Sequence, residues 1–205
     1  MNPAYIDTFK KYGITILQGY GMTECSPVIS TNLPWNSKKG SVGKLLPNCE
    51  AKKVNEELWV KGTSVMQSYY HMPEETVETL EDGWLKTGDL GYVDEEEFVF
   101  LTGRKKNLII TPNGENVSPE EIENKLSEKR IIQEVLVRES EGVIEAEIFL
   151  DYEYAAKKRV QDIRSNLQEI LDEYNLKAPL YKRVVKLKIR ETEFEKNTTK
   201  KIKRF

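Results

Sequence analysis

The chain has 205 residues, 39% of them hydrophobic and 32% charged, with a formal net charge of −3, so it holds enough apolar material for one core or two small ones. No apolar run reaches the roughly 18 residues of a membrane-spanning helix, and the N-terminal "MNPAYIDTFKKYG" lacks the basic-then-apolar layout of a secretory leader, which makes the cytoplasm the expected location, with no integral membrane span. Two cysteines, Cys25 and Cys49, without CxxC spacing, and a single histidine, His71, argue against a disulfide framework or a zinc site.

The small net charge hides an asymmetry. Residues 1–104 carry 10 Lys/Arg against 15 Asp/Glu, residues 105–205 carry 21 against 19, and the last 24 alone carry 10 against 3. A basic end suits an anionic ligand, and equally a nucleic acid or a membrane surface. Composition does not choose among them.

Residues 3–12 read as a short amphipathic helix, Gly13 as its stop, and "ITIL" at 14–17 as a strand running into the glycine-punctuated "QGYGMTE". That is an αβ step, and ligands of open α/β sheets sit at the carboxyl ends of strands. Between 40 and 102, segments such as "AKKVNEELWVKG", "WLKTGDLGYVD" and "EFVFLTG" alternate apolar and polar residues between turn clusters, which predicts a meandering β subdomain; "PEETVETL" at 73–80 is a short helix inside it. After Gly103, "KNLIIT" reads as a strand, "PNGEN" as a turn, and "SPEEIENKLSEKR" as a helix capped by Ser118. Strands at 132–138 and 143–151, one long helix at 155–174 and a last strand "RVVKLKI" complete the chain. The fold class is α+β, with a first domain at 1–104 and a small α+β domain at 105–205 joined near 104–106.

Three stretches and the basic end carry candidate chemistry. "QGYGMTECSP" puts Gly19, Gly21 and Thr23 where backbone N–H groups can face a phosphate, Tyr20 where a ring can stack, and Glu24 as a hard oxygen ligand for Mg²⁺; the bland alternative is a plain turn. In "GWLKTGDLGYVD", Asp89 can accept from a vicinal diol such as a ribose, or simply cap a turn. "TGRKKNLIITPNGENVSPEEIE" offers the forked donors of Arg104 between flexible glycines, or a plain hairpin with surface lysines. The end, "EKNTTKKIKRF", is either a solvated basic tail or the carrier of a reactive lysine.

Taken in order, these motifs resemble the signatures of the adenylate-forming superfamily, the AMP-dependent synthetases and ligases that include acyl-CoA synthetases, nonribosomal-peptide adenylation domains and luciferases. "LQGYGMTECSPV" and "GRKKNLIITPNGENVSPEEIE" look most like bacterial long-chain fatty acyl-CoA synthetases. The resemblance implies that 1–104 is a β-rich remnant of the large adenylating domain and 105–205 its mobile lid. It implies ATP, a fatty acid and coenzyme A as substrates, Mg²⁺ as metal, and no nucleic acid.

Carried over by motif, Tyr20 would stack on adenine beside Gly19 and Gly21, Thr23 would bind the α-phosphate, and Glu24 would hold Mg²⁺. Asp89 would take the ribose hydroxyls with Arg104 assisting, and Lys106 would be the hinge. Gly114 and Glu115 would line the coenzyme A tunnel. The family's closing motif, close to PKTxxGKIxR, aligns its adenylation lysine with Lys201. Here the glycine before that lysine is Lys200, and Glu195, Lys196 and Asn197 replace the start of the motif, so Lys200 competes with Lys201 for the role.

The family's Ser/Thr/Gly-rich phosphate loop ending in Pro-Lys-Gly has no counterpart in the sequence. The chain is therefore expected to be the C-terminal part of a synthetase, inactive without its N-terminal domain, with a mobile or differently packed end. Two other readings stay open: a stand-alone AMP-binding or regulatory module, and a basic-tailed protein that contacts nucleic acid or an anionic membrane surface.

Overall fold

The structure, a computed structural model, describes residues 3–198 and 200–204. The chain folds as two compact units, one through Lys106 and the other from Asn107.

The first unit opens with α1 (Pro3–Lys11), which Gly13 ends at a φ of +76°. The expected strand at 14–17 does not form. A strand needs a neighbour for its backbone groups, and among the described residues none pairs with it; Ile14 and Leu17 stay 50% and 40% exposed. Pairing starts only at β1 (Gly19–Gly21), which lies antiparallel to β2 (Val28–Thr31), itself paired with β3 (Lys44–Leu45). Buried Asn32 pins the irregular approach, its amide donating to the carbonyls of Gln18 (3.1 Å) and Ser41 (3.0 Å).

The meander forms as read. β4 (Cys49–Val54) and β5 (Glu57–Gly62) make a hairpin whose two loop residues, Asn55 and Glu56, both have positive φ, the turn that matches strand twist. After α2 (Pro73–Thr79), β6 (Leu80–Glu81), β7 (Trp84–Val93) and β8 (Val99–Arg104) complete a five-stranded sheet in which β7 pairs with β5, β6 and β8. Alternation along these strands sends Leu58, Val60, Leu85 and Val99 into a core with Cys25 and Ile29. Each such side chain contributes about 1.5–3 kcal/mol on burial.

In the second unit, β9 (Ile109–Ile110) and β10 (Asn116–Val117) form a small hairpin; the residues before it, Lys105–Asn107, are a 3₁₀ turn rather than the start of a strand. Helix α3 (Pro119–Leu126) follows. Ser118 occupies its N-cap position, but its hydroxyl donates to Glu120 Oε2 (2.9 Å) and makes no side-chain cap. β11 (Ile132–Ser140), β12 (Val143–Leu150) and β13 (Val184–Arg190) form a sheet with β11 and β12 antiparallel and β12 and β13 parallel. The single long helix expected at 155–174 is two helices, α4 (Tyr152–Lys157) and α5 (Ile163–Lys177). The break has a local cause. Arg159 sits at a φ of +55°, and Asp162 starts α5 afresh by accepting from the Ser165 amide at 2.9 Å. The core joins Val117, Ile122 and Leu126 to Val135, Ala146, Ile148, Leu167 and Leu171. Among the described residues no helix is long and apolar enough to cross a membrane.

Candidate nucleotide and lid sites

Asp89 is the centre of the first unit's candidate site, and a bulge puts it there. Between the pairs Glu57–Leu90 and Trp59–Lys86, β5 has one intervening residue and β7 has three, Thr87 to Asp89. Thr87 fills the gap by donating to the Leu58 carbonyl (2.6 Å) while its hydroxyl accepts the Asp89 amide (3.1 Å). Gly88 takes the left-handed turn this requires, at a φ of +69°. The result is a carboxylate on a rigid strand, only 4% exposed.

Two partners from separate motifs meet that carboxylate. The Tyr20 hydroxyl donates to Oδ2 at 2.7 Å, and Arg104, paired with Asp89 across β7 and β8, places Nε 2.6 Å from Oδ1. Burial, and then the negative charge of Asp89, raise the Tyr20 phenol far above its ordinary value. An ionised carboxylate accepts at about four sites in all, and a vicinal diol presents two donors to such a group. Arg104 is half exposed, with donors left over. The strand carrying Tyr20 has no room for side chains at Gly21, where a Cβ would lie 1.8 Å from the Pro27 carbonyl oxygen.

Thr23 and Glu24 follow in a 3₁₀ turn, Thr23–Cys25, that buries Cys25 and leaves Thr23 exposed. The Glu24 carbonyl accepts the Met66 amide (2.7 Å), and its Oε1 accepts the Tyr69 hydroxyl (2.8 Å). Among the described residues no group of three or more His, Cys, Asp or Glu could cage a metal. Glu24 fits the other way of holding Mg²⁺, a single carboxylate working with substrate phosphates and water.

The other candidates belong to the second unit or border it. Lys106 is exposed within the 3₁₀ turn Lys105–Asn107. Gly114 and Glu115 form the exposed tip of the β9–β10 hairpin: the Gly114 amide donates to the Thr111 carbonyl (2.8 Å), and Thr111 Oγ1 accepts the Glu115 amide (3.0 Å). Gly114 has a φ of +80° and a Cβ there would meet nothing within 4 Å, so the requirement for glycine in this chain is conformational and the tip is open.

The C-terminal segment is a folded loop. Phe194 is buried with the Arg190 guanidinium 4.5 Å from its ring centre, and its amide donates to Glu134 (2.9 Å). Lys196 binds Glu134 and Glu193, and an antiparallel bridge joins Lys196 to Ile202. Across the turn, Asn197 N–H donates to the Lys201 carbonyl (2.9 Å) and Asn197 Oδ1 accepts the Lys201 amide (2.9 Å). Arg204 closes the loop with a fork onto Glu123 of α3, at 2.9 and 2.5 Å. Of the two alternatives expected, a mobile or a differently packed end, the structure has a packed one, with its anchoring charges satisfied inside the unit. Lys200 and Lys201 are exposed at the turn, Lys200 in the left-handed region at a φ of +62°, where the family motif has glycine. Thr199 and Phe205 lie outside the described residues.

Three residues around these sites escaped the sequence reading. Thr87 lay inside a quoted motif without a role. Tyr69 carried no signal beyond an aromatic pair. Glu57 carried none: alternation groups it with Trp59, and nothing in the sequence says that its carboxylate, in a residue 3% exposed, accepts from Gly88 in the bulge.

The chain matches two family models, the AMP-binding enzyme over residues 1–70 and the AMP-binding enzyme C-terminal domain over 106–204. It is 42% identical over 141 residues to a long-chain-fatty-acid–CoA ligase of Bacillus subtilis, covering 62% of this chain and 25% of the relative. It is 39% identical over 147 residues to the long-chain-fatty-acid–CoA ligase FadD15 of Mycobacterium bovis, covering 71% of this chain and 24% of that one. Among solved structures, o-succinylbenzoate CoA synthetase (MenE) from Bacillus subtilis, in complex with the acyl-adenylate intermediate OSB-AMP, superposes with a TM-score of 0.80 at 30% identity, over 98% of this chain and 42% of that one. The chain thus spans about a quarter of the length of the curated relatives it matches. With both domain models matched and the fold shared, the chain belongs to the adenylate-forming AMP-binding enzymes, and its sequence is similar to the C-terminal region of bacterial long-chain fatty acyl-CoA ligases.

Proposed function

We propose that these residues form the ribose side and the lid of an AMP-forming acid–thiol ligase whose acid is a long-chain fatty acid. In that reaction a carboxylate oxygen attacks the α-phosphorus of ATP and pyrophosphate leaves; the coenzyme A thiol, losing its proton, then attacks the acyl carbon and AMP leaves. The protein's share is positioning and charge stabilisation.

The observation that carries the reading is the meeting of Tyr20, Asp89 and Arg104 on one buried carboxylate. In this reading Asp89 takes both ribose hydroxyls, Tyr20 flanks the adenine, and Arg104 pairs with the carboxylate and reaches the sugar. Thr23 faces the α-phosphate, and Glu24 contributes one oxygen to Mg²⁺, which when bound neutralises phosphate charge. Lys106 is the hinge between an adenylating domain ending near 104 and a lid starting near 105, Gly114 and Glu115 border the coenzyme A path, and Lys201 serves adenylation from the tip of the terminal loop. The phosphate-binding run is not in the sequence, so the 205 residues alone bind nucleotide without turning it over. The basic-tail reading loses support from the pairing of Lys196, Lys203 and Arg204 with Glu134, Glu195 and Glu123.

Titration calorimetry with AMP tests this. Wild type binds, and Asp89→Asn binds roughly tenfold to hundredfold more weakly, the worth of hydrogen bonds to a charged acceptor. An AMP analogue without ribose hydroxyls loses affinity for wild type and not for Asp89→Asn. Equal losses by both proteins, or no binding at millimolar AMP, would remove the ribose role.

A further inference from the structure

Glu57 ties together two parts of the first unit that lie far apart in sequence. Its two carboxylate oxygens are divided between them: Oε1 accepts the Gly88 amide at 2.9 Å, and Oε2 takes the Lys105 ammonium at 2.8 Å. Gly88 is the left-handed residue that sets the direction of Asp89, and Lys105 immediately precedes Lys106. The Glu57 side chain is 5% exposed and that of Lys105 60%, so the carboxylate is the fixed end of the link and the lysine the free one.

The carboxylate is also the right chemical group for the task. Burial by itself would raise the pKa of Glu57, but the Lys105 ammonium and the Gly88 amide outweigh it and hold the group below its ordinary value. An ionised carboxylate offers an acceptor to each of two donors at once, whereas a carboxamide offers a single oxygen. No other acid of the first unit ion-pairs with Lys105 among the described residues.

Resting on the nucleotide reading above, we propose that Glu57 is a positioning residue that latches Lys105 to the ribose-side bulge. The backbone before Lys106 is thereby held to the sheet, lid rotation starts at Lys106, and the turn carrying Asp89 does not follow it. Gly88 and Lys105 both lie just beyond the Asp89–Arg104 pair at the same end of the antiparallel β7–β8 ladder, so a disturbance at one is expected to reach the other through Glu57 as well as through that pair.

Amide hydrogen exchange on the whole 205-residue chain, with AMP titration beside it, tests the latch. Glu57→Gln and Lys105→Met each speed exchange at Gly88 and at 106–108 by about tenfold, while Val60 and Leu85 in the sheet core keep wild-type rates. The double variant is no worse than the worse single one, because both changes cut the same link. Lys105→Arg, which keeps a cation in reach, retains wild-type protection. Additive effects, uniform acceleration through the core, unchanged exchange at Gly88 in Lys105→Met, or failure of Lys105→Arg to protect would each overturn the proposal. If wild type fails to bind AMP while the exchange pattern holds, the latch stands and the nucleotide reading falls.

Discussion

Replacing Arg204 by methionine isolates the anchor of the terminal loop. Arg204 and Glu123 keep 18% and 14% side-chain exposure, and the fork between them is Glu123's only charge-neutralising contact among the described residues; otherwise the carboxylate accepts the Val137 amide at 2.8 Å. Burial pushes Glu123 above its ordinary 4.5, and Arg204 pulls it back only in part. Without the arginine, an ionised Glu123 is a buried charge facing one N–H, a loss of about 3–5 kcal/mol if it stays charged. It need not stay charged. Taking a proton at pH 7 by a group with an ordinary value of 4.5 costs about 3.4 kcal/mol, at about 1.36 kcal/mol per unit, so the loss is capped there and residual solvent access lowers it to about 2–3 kcal/mol.

The sign with pH follows. An acid whose folded value is raised binds more protons folded than unfolded, so the stability of Arg204→Met is fullest below about 4.5 and falls as pH rises toward the raised value. Wild-type Glu123 is itself raised, but less because Arg204 opposes the burial, so the difference between the two proteins should shrink as pH falls toward 4.5. Because the two units need not unfold together, the measurement is native-state hydrogen exchange at Val135, Val137 and Ile148 in the second unit's sheet, at pH 7 and pH 5. A loss below about 0.5 kcal/mol at pH 7, or one that does not shrink toward acid, would refute the claim that a desolvated Glu123 sets the cost.

Two backbone substitutions probe the candidate lid directly. Lys200→Gly restores the family residue at a φ of +62°; relief of about 1 kcal/mol of left-handed strain opposes the roughly 0.4–1 kcal/mol entropic cost of glycine, so urea unfolding should find the stability unchanged or slightly higher. A loss above about 1 kcal/mol would mean the loop turns another way. Gly114→Val puts a β-branched residue at a φ of +80° in open space, so it should deprotect the Glu115 amide, held by Thr111, through about 1–3 kcal/mol of local strain and leave the β11–β12 amides untouched. Tolerance of valine there would show that the tip refolds freely.

Much of the architecture was legible because it depends on local chemistry. The β meander between 40 and 102, the helix read at 73–80 and found at 73–79, and the two long strands of the second unit each carry their period in sequence. The misreadings share one origin. A strand at 14–17 needed a partner these described residues do not supply, and a helix through 155–174 needed Asp162 to stay in a helix interior when its side chain does better as a cap. The terminal segment read as free charge because the sequence does not show that Glu123 and Glu134 lie beneath Arg204 and Lys196.

What the sequence determined by itself was the set of chemical groups and their order: a glycine-flanked Tyr20, Asp89 in a Thr-Gly-Asp run, Arg104 before two lysines, and a basic end short of its glycine. Those are motif properties, held by residue type and spacing. Only the tertiary structure decided that Tyr20, Asp89 and Arg104 share one buried carboxylate, and that Glu57 joins Gly88 to Lys105. Both contacts join residues between 15 and 69 positions apart, and they lie at the break in register between β5 and β7. Periodicity describes neighbours along a strand; it cannot report which strand lies beside it or where the pleat is broken.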